Sequence, residues 1–422
     1  MRIAVVGSGI AGLASTWFLS REHTVTLFEA NDYFGGHTHT HDIDHEGQRL
    51  AVDSGFIVFN PTHYPQLTKL FAELGVKSRP TTMSFSVRNA GSGLEYNATD
   101  LDTLFCQRRN LLSPRFWGML RDLLRFYREA PALLTTPGPG PALGDYLSAG
   151  RYGAAFRDEH LLPMAAALWS APASRILEFP AQYLVRFMAN HQMLQLTDRS
   201  AWRVVSGGSA SYVRALRARW RGRVDERLSC AVRSVRRGPG GVQIVSDTGT
   251  EHFDRVVLAC HSDQSLKILA DPSEYEREIL GSIPYQDNEA VLHTDATLLP
   301  LNRKAWAAWN AFVPATPNEV CTVSYCMNLL QGLTSREPLV VTLNRTSAID
   351  PAKMLRVMRY RHPVYTQASV AAQSRRAEIQ GVRKTWFAGA YWGWGFHEDG
   401  IRSAVEVCAA LTSDSSLLEV AA

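Results

Sequence analysis

No apolar run in the 422-residue sequence approaches the ~18 residues that a membrane-spanning helix requires. A cleavable leader is not expected either, because Met1-Arg2 leads straight into a strand whose following glycines belong to a turn. A cytoplasmic protein, at most peripheral at the inner face of a membrane, is therefore expected. No large excess of one charge is present: the formal net charge is +4, too small to suggest a nucleic-acid partner. Cysteine is sparse. The six cysteines form no CxxC and no Cys/His pairing at zinc-ligand spacing. Cys321 and Cys326 fall in a strand-like run at a spacing that points them to opposite faces, so reduced core thiols are expected. Internal repeats and low-complexity tracts are also lacking. What remains is 45% hydrophobic and 20% charged, the balance of an ordinary globular chain long enough for two or three domains.

The most informative stretch is the first. Ile3 to Val6 reads as a short buried strand, Leu13 to Ser20 as a helix and Thr24 to Glu29 as a second strand. Between strand and helix lies Gly7-Ser8-Gly9-Ile10-Ala11-Gly12, a GxGxxG turn. Gly7 permits the turn, Gly9 lets the backbone approach a pyrophosphate, and Gly12 lets helix pack on strand. The helix N-terminus would face the diphosphate with free N–H groups and a favourable dipole. Glu29, twenty residues after Gly9, is placed to accept hydrogen bonds from ribose hydroxyls and would repel an NADP 2′-phosphate.

Further along, Thr62 to Leu74 has helical spacing, and residues 80–101 alternate like strands. Residues 113–134 read as an amphipathic helix, and over 109–134 Leu111, Leu112, Phe116, Met119, Leu120, Leu123, Leu124 and Tyr127 fall broadly on one face, flanked by arginines. Packing of that face inward is the plainer expectation, and contact with a membrane interface the other. A Thr135–Pro141 surface loop follows. A helix is expected from Ser211 to Arg219, strands at Ala231–Val235, Val242–Ser246 and Arg255–Ala259, and a final helix from about Gly400 to Leu411.

Glu29-Ala30-Asn31-Asp32-Tyr33-Phe34-Gly35-Gly36 resembles the loop after the second strand in the flavin amine oxidase and phytoene desaturase superfamily. There Gly-Gly-Arg is usual; here His37-Thr38 follows, so His37 replaces the arginine. Gly55-Phe56 resembles the segment beneath the isoalloxazine ring, and Cys230-Ala231-Val232 the strand whose backbone, at Val232, meets adenine. Phe387-Ala388-Gly389 and Glu398-Asp399-Gly400-Ile401 resemble the C-terminal flavin segment. The resemblance implies noncovalent FAD, with Asp399 on a ribityl or diphosphate hydroxyl and a helix from Gly400 aimed at the flavin. It also implies an α/β fold: a Rossmann-like FAD domain from residues 1–75, 200–290 and 380–422, with an inserted α+β substrate domain, carrying an antiparallel sheet, from 76–199 and 291–379.

Trp202 to Ser209, Ala259-Cys260-His261, Tyr360-Arg361-His362-Pro363 and Gly395 to Gly400 resemble one subgroup, the flavoproteins encoded beside cyclopropane-fatty-acid synthases. That resemblance implies a fatty acyl or phospholipid substrate, oxidised or desaturated by hydride transfer to flavin. Amine oxidation is the alternative, as is a flavin-bound accessory subunit of a lipid methyltransferase without redox turnover. For the chemistry, Tyr391 and Trp392 are expected to wall the flavin, Tyr391 foremost, with His397 as a proton relay. His191 and His261 are weaker candidates. His37, His39 and His41 alternate like ligands on one strand face, but their place in the flavin loop argues against a metal.

Overall fold

The computed structural model describes residues 1–136, 140–169, 173–197, 200–316 and 321–412. Residues 137–139 of the expected Thr135–Pro141 loop, and 413–422 of the last expected domain segment, lie outside them.

One centre of the molecule is a five-stranded parallel sheet in the order Val224–Arg227, Thr24–Phe28, Arg2–Val6, Arg255–Leu258, Thr385–Phe387. Its strands come from the start, middle and end of the chain. Both faces are covered, which is why these segments read as unbroken apolar runs rather than alternating ones. Ile3 and Val5 point into one core, with the helices Ile10–Leu19, Pro65–Leu74, Ala210–Trp220 and His397–Ala409. Ala4 and Val6 point into the other, against the antiparallel strands Val232–Gly238, Gly241–Ser246 and Gly249–Phe253. The helix Pro65–Leu74 stops at Gly75, whose φ of 70° supplies the left-handed cap.

The second centre is a seven-stranded sheet ordered Met354–Pro363, Tyr285–His293, Val340–Leu343, Thr322–Cys326, Trp309–Val313, Phe85–Asn89, Glu95–Asn97. Only Trp309–Val313 and Phe85–Asn89 pair in parallel. A helical block between Leu101 and Asn190 packs over it through Phe116, Phe126, Phe156 and Phe187. The strand Tyr285–His293 runs across residues 290/291, where the sequence divides the expected domains.

The amphipathic segment is a helix over Pro114–Glu129 followed by a 3-10 stretch over Ala130–Thr135. Its inward face differs from expectation. Phe116, Met119 and Phe126 are buried together with Asp122, whereas Leu112 and Leu124 face outward. Asp122 is drawn in because its carboxylate accepts the Gly153 N–H at 2.8 Å. All six cysteines are free. Among the described residues no helix is long and apolar enough to cross a membrane.

Candidate cofactor and substrate site

The glycine turn shows why each glycine stands where it does. A Cβ on Gly12 would lie 1.8 Å from the Gly7 carbonyl oxygen, so no side chain fits between helix and strand. Gly7 adopts φ +101° with Ala259 packed against it. Gly9 is different: a Cβ there would meet nothing within 4 Å. That open side would let a diphosphate approach the first free N–H groups of the Ile10–Leu19 helix. Gly36 packs back on Gly9, and Gly400, in the first turn of the His397–Ala409 helix, sits against Ile10. Two helix N-termini thus converge on one place, and their dipoles favour an anion there.

Glu29 is buried beside the turn. Its carboxylate accepts the Ser8 N–H at 2.9 Å, the Ser8 hydroxyl at 2.5 Å and the Asn31 N–H at 2.8 Å. The Glu29 carbonyl takes the Cys230 N–H at 2.8 Å, which brings the chain leading to Val232 to the same edge of the sheet. Glu29 therefore braces the loop, and its carboxylate stands where an adenosine ribose would meet it. Glu29→Gln retains the shape and one acceptor oxygen but removes the charge. Charge-assisted hydrogen bonds contribute about 1.5–3 kcal/mol, so FAD binding should weaken roughly ten- to hundredfold. Quenching of FAD fluorescence on titration with apoprotein reads the change, and an unaltered dissociation constant removes Glu29 from the site.

His37, in the place of the usual arginine, is turned toward His362, Tyr360 and His261, with ring centroids 5.1, 5.1 and 6.1 Å away. His37 follows Gly36 and His261 follows Cys260, so the two flank the glycine turn from both sides. The Nε2 of His37 and the Nδ1 of His261 are buried without a protein hydrogen-bond partner. Burial, reinforced by mutual repulsion with neighbouring histidines, lowers His37 to about 4 and His261 and His362 to about 3. Neutral imidazole N–H groups thus stand where a guanidinium is expected. The expected shared face of His37, His39 and His41 is absent. His39 instead stacks on Tyr33 at 4.1 Å and lies beside His41, because only His41 belongs to the strand Thr40–His45.

Gly55 and Phe56 are pinned to this loop by the Phe56 N–H on the His37 carbonyl at 2.7 Å. Phe56 stacks on His397 with centroids 3.7 Å apart. The His397 Nε2 meets the Thr38 hydroxyl at 3.0 Å, and Thr38 meets the Tyr212 hydroxyl at 2.5 Å. Burial lowers His397 to about 3, so it is a neutral ring that orients the loop. Its pKa lies far from the range in which a proton relay works best.

The C-terminal segment corrects several expectations. The helix begins at His397 rather than Gly400, because Asp399 reaches back to accept the Trp394 and Phe396 N–H groups, each at 3.0 Å. Arg402 also donates to Asp399 at 2.7 Å, so this carboxylate holds the helix end. Glu398 caps the Pro65–Leu74 helix through the Gln66 and Leu67 N–H groups. What Glu398, Asp399, Gly400 and Ile401 offer a flavin is the backbone of a first helical turn. Tyr391 and Trp392 do not alternate across a strand. They lie in a 3-10 turn, Ala390–Trp392, with rings 4.8 Å apart in the core behind the parallel sheet. Tyr391 covers Gly389, where a Cβ would meet its ring at 2.2 Å, and its hydroxyl is buried without a partner.

The aromatic wall is formed by the next two members of the same run. Trp394 and Phe396 turn to the helical block, Phe396 stacking on Phe187 at 5.2 Å and lying 5.7 Å from His191. Trp394 approaches Phe187, Tyr183 and His191 at 6.1 to 6.3 Å. Gly393 and Gly395 separate the two sets, the one signal in the sequence that could have divided them. His191 donates its Nδ1–H to the Phe187 carbonyl at 3.0 Å, which leaves Nε2 as an acceptor, and burial lowers its pKa to about 4.

A cradle open at Gly9, two converging helix N-termini, an acidic strand tip and unpartnered buried imidazole nitrogens fit the diphosphate and ribose of FAD. Comparison with known proteins agrees. Residues 10–294 match the family model for flavin containing amine oxidoreductase. The chain is 26% identical over 281 residues to a Mycobacterium tuberculosis protein named as a flavin-containing monoamine oxidase, AofH, covering 64% of this chain and 59% of that one. Cyclohexylamine oxidase from Brevibacterium oxydans shares the fold with a TM-score of 0.69 at 16% identity, over 99% of both chains. The fatty acid isomerase of P. acnes that produces CLA does so with a TM-score of 0.66 at 16% identity, over 97% of this chain and 98% of its own. With two-thirds of its length inside the family model, and a cofactor cradle to match, the chain belongs to the flavin-containing amine oxidoreductase family, and its cofactor is FAD.

Proposed function

We propose that the protein is an FAD-dependent oxidoreductase acting on an activated C–H of a fatty acyl chain or phospholipid. The observation that carries this reading is the continuity of the apolar wall. From Phe396 and Trp394 an unbroken cluster runs through Phe187, Trp169 and Phe179 into the core of the helical block. The two carboxylates nearest that wall in sequence, Glu398 and Asp399, are both engaged by backbone N–H groups. An alkyl chain lying against Trp394 and Phe396, the partly buried members of that cluster, would meet apolar surface.

FAD, when bound, supplies the two-electron acceptor for a hydride leaving the substrate carbon. The protein's share is to exclude water with the Trp394–Phe396–Phe187 wall and to orient the flavin loop through Thr38 and His397. His191, its Nδ1–H on the Phe187 carbonyl, is part of that wall and fixes its geometry. Attachment of FAD is noncovalent in this reading: burial raises the Cys260 thiol to about 11, far from the thiolate that attachment requires. Amine oxidation is the second reading, favoured by the similarity to AofH. The proposed domain division, with substrate entering between a cofactor domain and an inserted domain, is common to both.

Truncation of Phe396 separates them. Removing a Phe side chain that a bound acyl chain would cover forfeits about 1.5–3 kcal/mol of apolar contact. Phe396→Ala should weaken the flavin spectral perturbation caused by a long-chain acyl ligand about tenfold or more, with FAD still bound. If acyl ligands never perturb the spectrum of the unmodified protein and amines do, the acyl reading is lost.

A further inference from the structure

The helix Pro114–Glu129 has an outward face that its packing does not explain. Residues three or four apart along it, Trp117, Arg121, Leu124 and Arg128, are all exposed, Trp117 and Leu124 by half. Just before it, in the 3-10 turn Arg108–Leu112, Leu112 is 88% exposed and Leu111 is also exposed. Leu101 and Leu301 extend the same surface. The Trp117 ring lies 5.5 Å from Phe105, and its Nε1–H donates to the Leu111 carbonyl at 2.9 Å. Lys304 reaches Asp102 at 2.9 Å, which ties the loop carrying Leu301 beside Leu101. Of the fourteen large hydrophobic side chains exposed among the described residues, these six share one face.

The same face is cationic. Arg121 and Arg128 on that face keep about three-quarters of their side chains in solvent, and Arg108 and Lys304 keep more than half. Asp122 beside Arg121 is buried beneath the surface, so the exposed charges, Arg108, Lys304, Arg121 and Arg128 against Asp102 and Glu129, leave a positive excess. A protein interface usually draws charge out of its centre, whereas here arginines alternate with Trp and Leu along one helix face. That mixture suits a phospholipid surface: apolar side chains enter the acyl boundary, Trp sits at headgroup level, and arginines meet anionic headgroups.

We propose that this face, centred on Leu112, Trp117, Leu124, Arg121 and Arg128, docks the protein on an anionic phospholipid bilayer. The inner side of the helix, Phe116 and Phe126, belongs to the apolar cluster that also receives Trp394 and Phe396. Docking would therefore set the bilayer against the outer side of the cluster to which the proposed acyl wall belongs. The surface stands independently of the substrate reading, because binding to vesicles needs no turnover.

The test is co-sedimentation of the FAD-loaded protein with vesicles of phosphatidylcholine alone and of equal parts phosphatidylcholine and phosphatidylglycerol. Preference for the anionic vesicles by at least tenfold, weakening with salt, is expected. Arg121→Gln with Arg128→Gln should lower that affinity about thirtyfold, from about 1 kcal/mol per arginine. Leu112→Ser with Trp117→Ser should abolish sedimentation while flavin absorbance stays native, and Leu228→Ser, on a different surface, should change nothing. Absence of binding by the unmodified protein overturns the proposal. So does equal binding by all variants, or a stable dimer in solution that the Leu112/Trp117 variant dissociates.

Discussion

Replacing Gly9 with alanine should leave the apoprotein folded and at least as stable, yet cost FAD binding on the order of a hundredfold, equivalent to about 2.7 kcal/mol. The two halves of this outcome have separate causes. Gly9 has φ −62° and ψ 177°, which alanine adopts without strain, and its Cβ would meet no protein atom. Restricting the unfolded chain then contributes about 0.4–1 kcal/mol in favour of the folded state. The same Cβ points into the space through which a diphosphate reaches the helix N-terminus. Gly12→Ala is the contrasting variant: its Cβ overlaps the Gly7 carbonyl, so folding itself should suffer. Thermal unfolding of both apoproteins, with FAD titration of whichever folds, checks the pair. Native affinity in Gly9→Ala would move the diphosphate elsewhere.

The second large effect is acid lability of the FAD-free protein. His37, His261, His362 and His397 are buried, with pKa values lowered to between about 3 and 4 from 6.5. A histidine lowered on folding binds its proton more readily when unfolded, so its contribution falls as the pH drops below about 6.5 toward the folded value. Two carboxyls oppose this. Burial raises Asp53 to about 6 and Glu398 to about 7, so they stabilise the folded state as the pH falls. His41, His191 and His293 are lowered to about 4 as well, so between pH 6 and pH 5 the histidines outweigh the two carboxyls and unfolding takes up protons. Each net proton is worth about 1.4 kcal/mol per pH unit, so stability should drop by several kcal/mol over that unit. Urea unfolding at pH 6 and pH 5 measures it. Stability that rises between pH 6 and pH 5 would mean that the imidazoles are not held neutral.

The parts of the molecule legible in the sequence are those where local pattern and tertiary role coincide. The strand Arg2–Val6, the glycine turn, the helix and Glu29 form one contiguous unit, and each residue type is demanded by a contact within it. The histidine cluster was only half visible. His37 could be seen replacing an arginine, but its partners His261 and His362 arrive from a returning strand and from the far sheet. The strand pairing of Phe85–Asn89 with Trp309–Val313 is equally non-local, and nothing in either segment names the other. At the C-terminus the error had a local cause. A strand period was assumed through Tyr391 and Trp392, whereas two glycines and the backward reach of Asp399 wind the run into a turn and send Trp394 and Phe396 to the opposite core. The helix Pro114–Glu129 was recognised, but a buried Asp122 rotated its face, which no hydrophobic count anticipates.

Anaerobic mixing of the oxidised, FAD-loaded protein with long-chain fatty acids, phospholipids and primary amines, followed by flavin absorbance, tests the central claim most directly. Bleaching by an acyl lipid, with amines inert, is the predicted result. Bleaching by amines while every acyl lipid leaves the flavin oxidised would contradict it.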